Sequence, residues 1–215
     1  MAGGAVQTGW REDGAFAVAR SRQERVGPKL YWQEMAIRDE IVSALRRGIE
    51  ARRAGQLSEA LRCLNEAAAM CGPDRDDDRA LVLRELAELA RKSRDLNTAQ
   101  ARYEEAVVLL RTSEDRLTFA HTIRHLGDVE AEQQHWPEAE KCFLEALGIY
   151  RGHPSPDALD LANAIRAYAA LKTETGQCEE ARALWAEAGE LYQTEGIAAG
   201  VEECRRRAGP LDRQE

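Results

Sequence analysis

The stretch Gln134-His135-Trp136-Pro137-Glu138-Ala139-Glu140-Lys141-Cys142-Phe143-Leu144-Glu145-Ala146 decides how the rest of the chain is read. Pro137 suits a first helical turn, where its missing N–H costs little. Ala139, Phe143 and Ala146 then stand at i, i+4 and i+7, on one helical face. The small residues let two backbones approach, and the large one fills the space beside them. The same stripe recurs as Ala60, Leu64, Ala67, then Ala99, Tyr103, Ala106, and again as Ala181, Trp185, Ala188. The leading alanines are 39, 40 and 42 residues apart. A near-constant step of this size marks a stack of helical repeats, each too small to bury its own apolar face.

Each stripe has a first helix upstream. In the third copy it runs near Leu117 to Gln133 and carries Ile123, Leu126 and Gly127. The matching residues are Leu83, Leu86 and Ala87 in the second copy, and Ile165, Tyr168 and Ala169 in the fourth. The first copy has Ala44, Arg47 and Gly48. An arginine at that core-facing position suits a terminal repeat, whose outer face is wet.

The spacing large–x2–Leu–Gly, followed by Ala–x3–Phe–x2–Ala, resembles the tetratricopeptide repeat (TPR) signature over about residues 36 to 195, best in the third copy. The step exceeds the usual 34 or so residues. Such long-period copies resemble the kinesin-light-chain-like branch of that family. The resemblance implies an all-α, right-handed α-solenoid of four helix pairs plus a C-terminal capping helix. The TPR domain is expected over 35–208, with repeats at about 36–73, 76–113, 115–153 and 156–195 and the cap at 196–208. Residues 1–34 form an extension and 209–215 a tail.

The surplus length is placed in links rich in Pro, Gly, Asp and Ser, around Cys71 to Asp78, Arg111 to Arg116 and Arg151 to Asp157. Asp74 to Asp78 is expected to cap the next helix; the spacing of an EF-hand is missing. Trp136 is expected to pack on the preceding helix, Trp185 to be core, and Arg205, Arg206 and Arg207 to face water. In the extension, a helix near Asp13 to Glu24 ends before Pro28. Its aromatics, Trp10, Phe16, Tyr31 and Trp32, are candidates to dock on the first repeat, and the whole stretch is a candidate occupant of the repeat groove.

Hydrophobic residues make up 44% of the chain and aromatics 6%, so the core is built mainly of Ala and Leu. No stretch approaches the 18 or so apolar residues of a membrane span, and the start lacks a secretory pattern. A net charge of −8 argues against general affinity for nucleic acid or an anionic membrane. The five cysteines form no C-x-x-C pair and read as reduced thiols of a cytoplasmic protein.

The family resemblance implies that the first helices line a concave groove. Its groove positions fall on Arg84, Arg124 and Arg166, on His121 and Asn163, on Glu88 and Asp128, and on His125. The first copy offers Val42 and Leu45 instead of polar residues. Three stacked arginines present planar forks suited to carboxylates, so an acidic or C-terminal peptide is the expected ligand. The competing reading pairs these arginines with Glu85, Glu88 and Asp128 on neighbouring helices. His121 and His125, at i, i+4 with Asp128 three further on, have partial metal-site spacing. They lack the glutamate of the metalloprotease motif, and two hydrogen-bonded surface histidines are the plainer reading. No nucleophile elbow, P-loop or dinucleotide fingerprint is present. The expectation is a non-catalytic adaptor without cofactor or metal, holding a protein or peptide. A homodimer, or a regulatory subunit gating an enzyme or transcription factor, is the alternative.

Overall fold

The computed structural model describes residues 28–209, with side chains from 33 onward. Nine helices follow in order among the described residues: α1 Pro28–Arg53, α2 Leu57–Met70, α3 Asp76–Lys92, α4 Leu96–Leu110, α5 Arg116–Glu132, α6 Trp136–Gly152, α7 Ala158–Glu174, α8 Cys178–Thr194 and α9 Ala198–Ala208. They make four helix pairs and a ninth helix that closes on α8, the expected solenoid. Trp10, Phe16 and the helix expected near Asp13 to Glu24 lie outside the described residues.

The stripe is the core. Every small and large residue of the four Ala–large–Ala sets is buried. Trp185, Tyr103 and Phe143 are among the largest fully enclosed side chains, and Trp136 packs on the core edge. Facing Phe143, Gly127 allows a close approach: a Cβ there would stand 2.8 Å from Phe143 Cε1 and 3.0 Å from Cys142 Cβ. The core has two parts that meet across α3. Val82, Leu86 and Leu89 pack with the first pair, whereas Leu83 and Ala87 pack with everything downstream.

One turn joins the helices within each pair. Gly55, Arg94, Gln134 and Gly176 all have positive φ, between 64° and 77°. The next residue's N–H then closes onto the carbonyl five residues back, as from Asp95 to Ala90 and from His135 to Glu130, which satisfies an end carbonyl of the helix. Gly196 makes the same turn, with Ile197 donating to Tyr192. The ninth helix is therefore hinged to α8 as a second helix is hinged to its first. Gly200 seats it, its missing Cβ lying 2.6 Å from Cγ of Tyr192.

Asp95, Asp115 and Asp157 cap α4, α5 and α7, accepting from Thr98, Thr118 and Asp160 N–H. Two sequence expectations are corrected. Arg75, not an aspartate, is the N-cap of α3; Asp76, Asp77 and Asp78 occupy the first turn, where they meet the positive end of the helix dipole. Arg47 does not face the core: it is exposed and pairs with Glu66 at 3.0 Å. Gly48 beside it supplies the close approach to Leu64. Arg205, Arg206 and Arg207 are exposed.

Candidate functional site

The first helices α1, α3, α5 and α7, with α9 after them, are laced side by side by polar contacts. Arg52 donates to Glu85 at 2.9 Å, joining α1 to α3. Arg91 reaches across to Asp128 at 3.5 Å and Glu132 at 2.7 Å, joining α3 to α5. His121 Nδ1 lies 3.4 Å from Asp160 on α7, and Arg166 lies 3.5 Å from Glu203 on α9. The eight expected groove residues all lie on α3, α5 and α7, and His121, Asp128 and Arg166 take part in these contacts.

They are not equivalent. Arg124 is buried at 6% exposure, bonded to Asp128 at 3.1 Å and donating to His125 Nε2 at 2.7 Å. Its fork is spent inside the protein. Arg84 has one long contact, 3.6 Å to Glu85, and Glu85 is already held by Arg52. Arg166 contacts Glu203 at 3.5 Å, lies beside the Tyr192 hydroxyl and keeps about a third of its side chain exposed. The uniform column expected from the sequence is therefore two available arginines flanking a committed one. The competing reading is met in part: Arg84 and Arg124 pair within their own helices, and Arg166 pairs with α9, which was not anticipated.

The centre of the ladder is densely charged. Glu88 accepts from Tyr103 Oη at 2.5 Å and faces His125 Nδ1 at 3.2 Å and Arg91 at 3.7 Å. His125 stacks on the Tyr103 ring, with centroids 5.9 Å apart. Burial, reinforced by the Arg124 charge, pushes His125 down to about 4. Burial also lowers His121, against the pull of Asp160. Burial alone would raise the Glu88 carboxyl, but His125, the Tyr103 hydroxyl and Arg91 together hold it below the usual range. Burial is likewise overcome at Asp128, chiefly by His125 and Arg124.

The two histidines are therefore part-buried, not surface groups, with their Nε2 atoms 3.1 Å apart. Among the described residues no group of three or more His, Cys, Asp or Glu side chains is arranged to hold a metal ion. Asn163 Oδ1 accepts from Tyr192 Oη at 2.7 Å.

Arg91, Asp160 and Glu203 were missed in the sequence. Arg91 had a signal: it stands seven residues after Arg84, on the same face of α3. Elsewhere, Lys172 is buried at 5% exposure between Glu140 at 2.6 Å and Glu180 at 3.1 Å, between the third and fourth pairs. The free cysteines are Cys63, Cys71, Cys142, Cys178 and Cys204. None of the described helices is long and apolar enough to cross a membrane.

Residues 118–194 match the family model for the tetratricopeptide repeat. No curated protein matches the chain. Several solved structures do. BtubC (BKLC) from P. vanneervenii is 18% identical, with 80% of this chain and 89% of that one covered and a TM-score of 0.58. The APC/C hetero-tetramer Cut9-Hcn1 is 18% identical, with 78% and 30% covered and a TM-score of 0.63. The apo form of RapI is 11% identical, with 89% and 67% covered and a TM-score of 0.70. At such identities the likeness is one of fold. Residues 118–194 are thus similar in sequence to the tetratricopeptide repeat, and helix pairs of the same architecture precede them toward the N-terminus.

Proposed function

We propose that this chain is a non-catalytic interaction module of the cytoplasm that holds an acidic or C-terminal peptide segment against the α3–α5–α7 face. The observation that carries this reading is the unequal commitment of the arginines. Arg84 and Arg166 stand at one register on α3 and α7, and their ion pairs are 3.5 Å or longer. A ligand carboxylate at about 2.8 Å, bidentate on either fork, improves on those contacts. Arg124 between them keeps the backbone scaffold in place instead of binding. Asn163 has amide hydrogens to offer a peptide carbonyl.

The test is fluorescence anisotropy with a labelled Glu/Asp-rich peptide, in free-acid and C-terminally amidated forms, against the full chain. Binding that weakens at least tenfold in Arg84→Glu with Arg166→Glu is the expected result. Equal affinity of wild type and double variant, or no saturable binding to wild type, rejects the reading. Retention of binding by the amidated form alone assigns recognition to acidic side chains over the terminal carboxylate.

A further inference from the structure

The junctions between successive helix pairs repeat with the same period as the pairs, so their fillings can be compared position by position. Between the second and third pairs, Gln100 donates to Glu130 at 3.0 Å, and His135 closes on the same carboxylate at 2.8 Å. Between the third and fourth, Lys172 spans to Glu140 at 2.6 Å and to Gln177 at 2.8 Å, leaving a void of about 140 Å³. Between the first and second, the corresponding residues are Leu61, Ala90 and Asp95. Ala90 has no chain to cross the gap, and Leu61 has no group to bond.

The consequence is a cavity of about 370 Å³ walled by Leu57, Leu61, Leu86, Leu89 and Ala90. Leu57 and Leu61 are 41% and 47% exposed at its mouth. Its rim carries one charge of each sign, Asp95 and Arg102, and Arg102 has only a 3.6 Å contact to Glu105. The site therefore suits one large apolar side chain with a base and an acid close beside it in sequence.

We propose that this cavity seats the chain's own Trp10. The segment Gly9-Trp10-Arg11-Glu12-Asp13 has the required order: an indole, then a base for Asp95, then acids for Arg102. The reach is sufficient. The cavity flanks the start of α2, beside the C-terminal end of α1, and α1 is about 39 Å long at 1.5 Å per residue. The chain between Trp10 and Pro28 spans up to about 60 Å when extended. Phe16 reaches only about 40 Å, with no slack, and Tyr31 and Trp32 belong to α1 itself. Tethering also favours the chain's own residue over the same residue of a second copy, because a short link holds it at an effective concentration of order millimolar.

The experiment uses the full chain with the photo-crosslinker benzoylphenylalanine at Leu61, irradiated at low micromolar concentration and mapped by mass spectrometry. Intramolecular adducts on residues 9–13 are expected. They should fall at least tenfold in Trp10→Ala, and equally in Ala90→Lys, which installs the filling that Lys172 gives a sister junction and so preserves the fold. Arg102→Glu should cut the adduct about threefold, and Glu12→Arg with Asp13→Arg should restore it. Adducts that appear only in covalent dimers, that fall elsewhere in the chain, or that fail to form overturn the proposal and give the cavity to a second copy or another protein.

Discussion

His125 presents Nδ1 to Glu88 at 3.2 Å while its Nε2 accepts from Arg124 at 2.7 Å. The guanidinium can only donate, so the ring is neutral, with its single proton on the Nδ1 side facing Glu88. A neutral histidine thus stands between α5 and α3 at the centre of the repeat stack, enclosed by charges of both signs.

That arrangement makes stability depend on pH. His125 is held at about 4 in the fold against 6.5 in the unfolded chain. Between those values the unfolded chain takes up a proton that the folded chain refuses. The contribution is therefore complete above pH 6.5 and is lost as pH falls toward 4, on the order of 2–3 kcal/mol. Glu88 and Asp128, also lowered, lose stability in the same direction further down the scale. Thermal melts from pH 7.5 to 4.5 should show a falling Tm for the wild type and a clearly flatter profile above pH 5 for His125→Gln. Parallel profiles would remove His125 from the account.

The repeat was legible because it rests on side-chain size at fixed spacing, and Ala139, Phe143 and Ala146 show it without any partner. The register of Arg84, Arg124 and Arg166 was legible for the same reason. What each arginine touches was not. Asp128 sits at i+4 from Arg124 and takes its fork, while Glu203, the partner of Arg166, arrives from a helix beyond the last repeat. The first-junction cavity was hidden for another reason. It exists through what Ala90 lacks, and that shows only once Glu130 and Lys172 are known to fill its sister positions.

The shared turn gives a second prediction. Arg94 and Gln134 hold φ of 64° and 65°, where the other copies have glycine. A residue with a Cβ pays roughly 1 kcal/mol or more there. Glycine returns part of that to the unfolded state as entropy. Arg94→Gly and Gln134→Gly should each raise stability by about 0.5–1 kcal/mol in urea titrations, additively, since different turns are involved. A loss in either variant would mean that the side chain does more than tolerate the turn.

Gly127 offers the opposite case. In a helix interior, Gly→Ala ordinarily gains about 1 kcal/mol. Here the new methyl meets Phe143 and Cys142 at 2.8–3.0 Å, and Cys142 Cβ moves only if α6 moves. Overpacking of this kind costs about 1–3 kcal/mol, so Gly127→Ala should be neutral to destabilising by about 2 kcal/mol. Gly127→Ala with Phe143→Leu should recover part of the loss. A net gain in the single variant would show that the third pair repacks freely.

The last prediction separates scaffold from binding surface. Arg124 is nearly enclosed, and its removal leaves Asp128 with longer contacts to Arg91 and His125 only. Breaking a buried pair from one side costs about 3–5 kcal/mol; the remaining partners of Asp128 reduce that to about 2–3 kcal/mol for Arg124→Ala. Arg84 and Arg166 hold long, partly exposed contacts of the kind worth under about 1 kcal/mol. Their alanine variants should melt within about 2 °C of wild type while weakening binding of the acidic peptide. Denaturant titration and anisotropy on the same three proteins read the two properties side by side. If Arg84→Ala and Arg166→Ala destabilise as much as Arg124→Ala, all three arginines are scaffold and the ligand must be sought on another face.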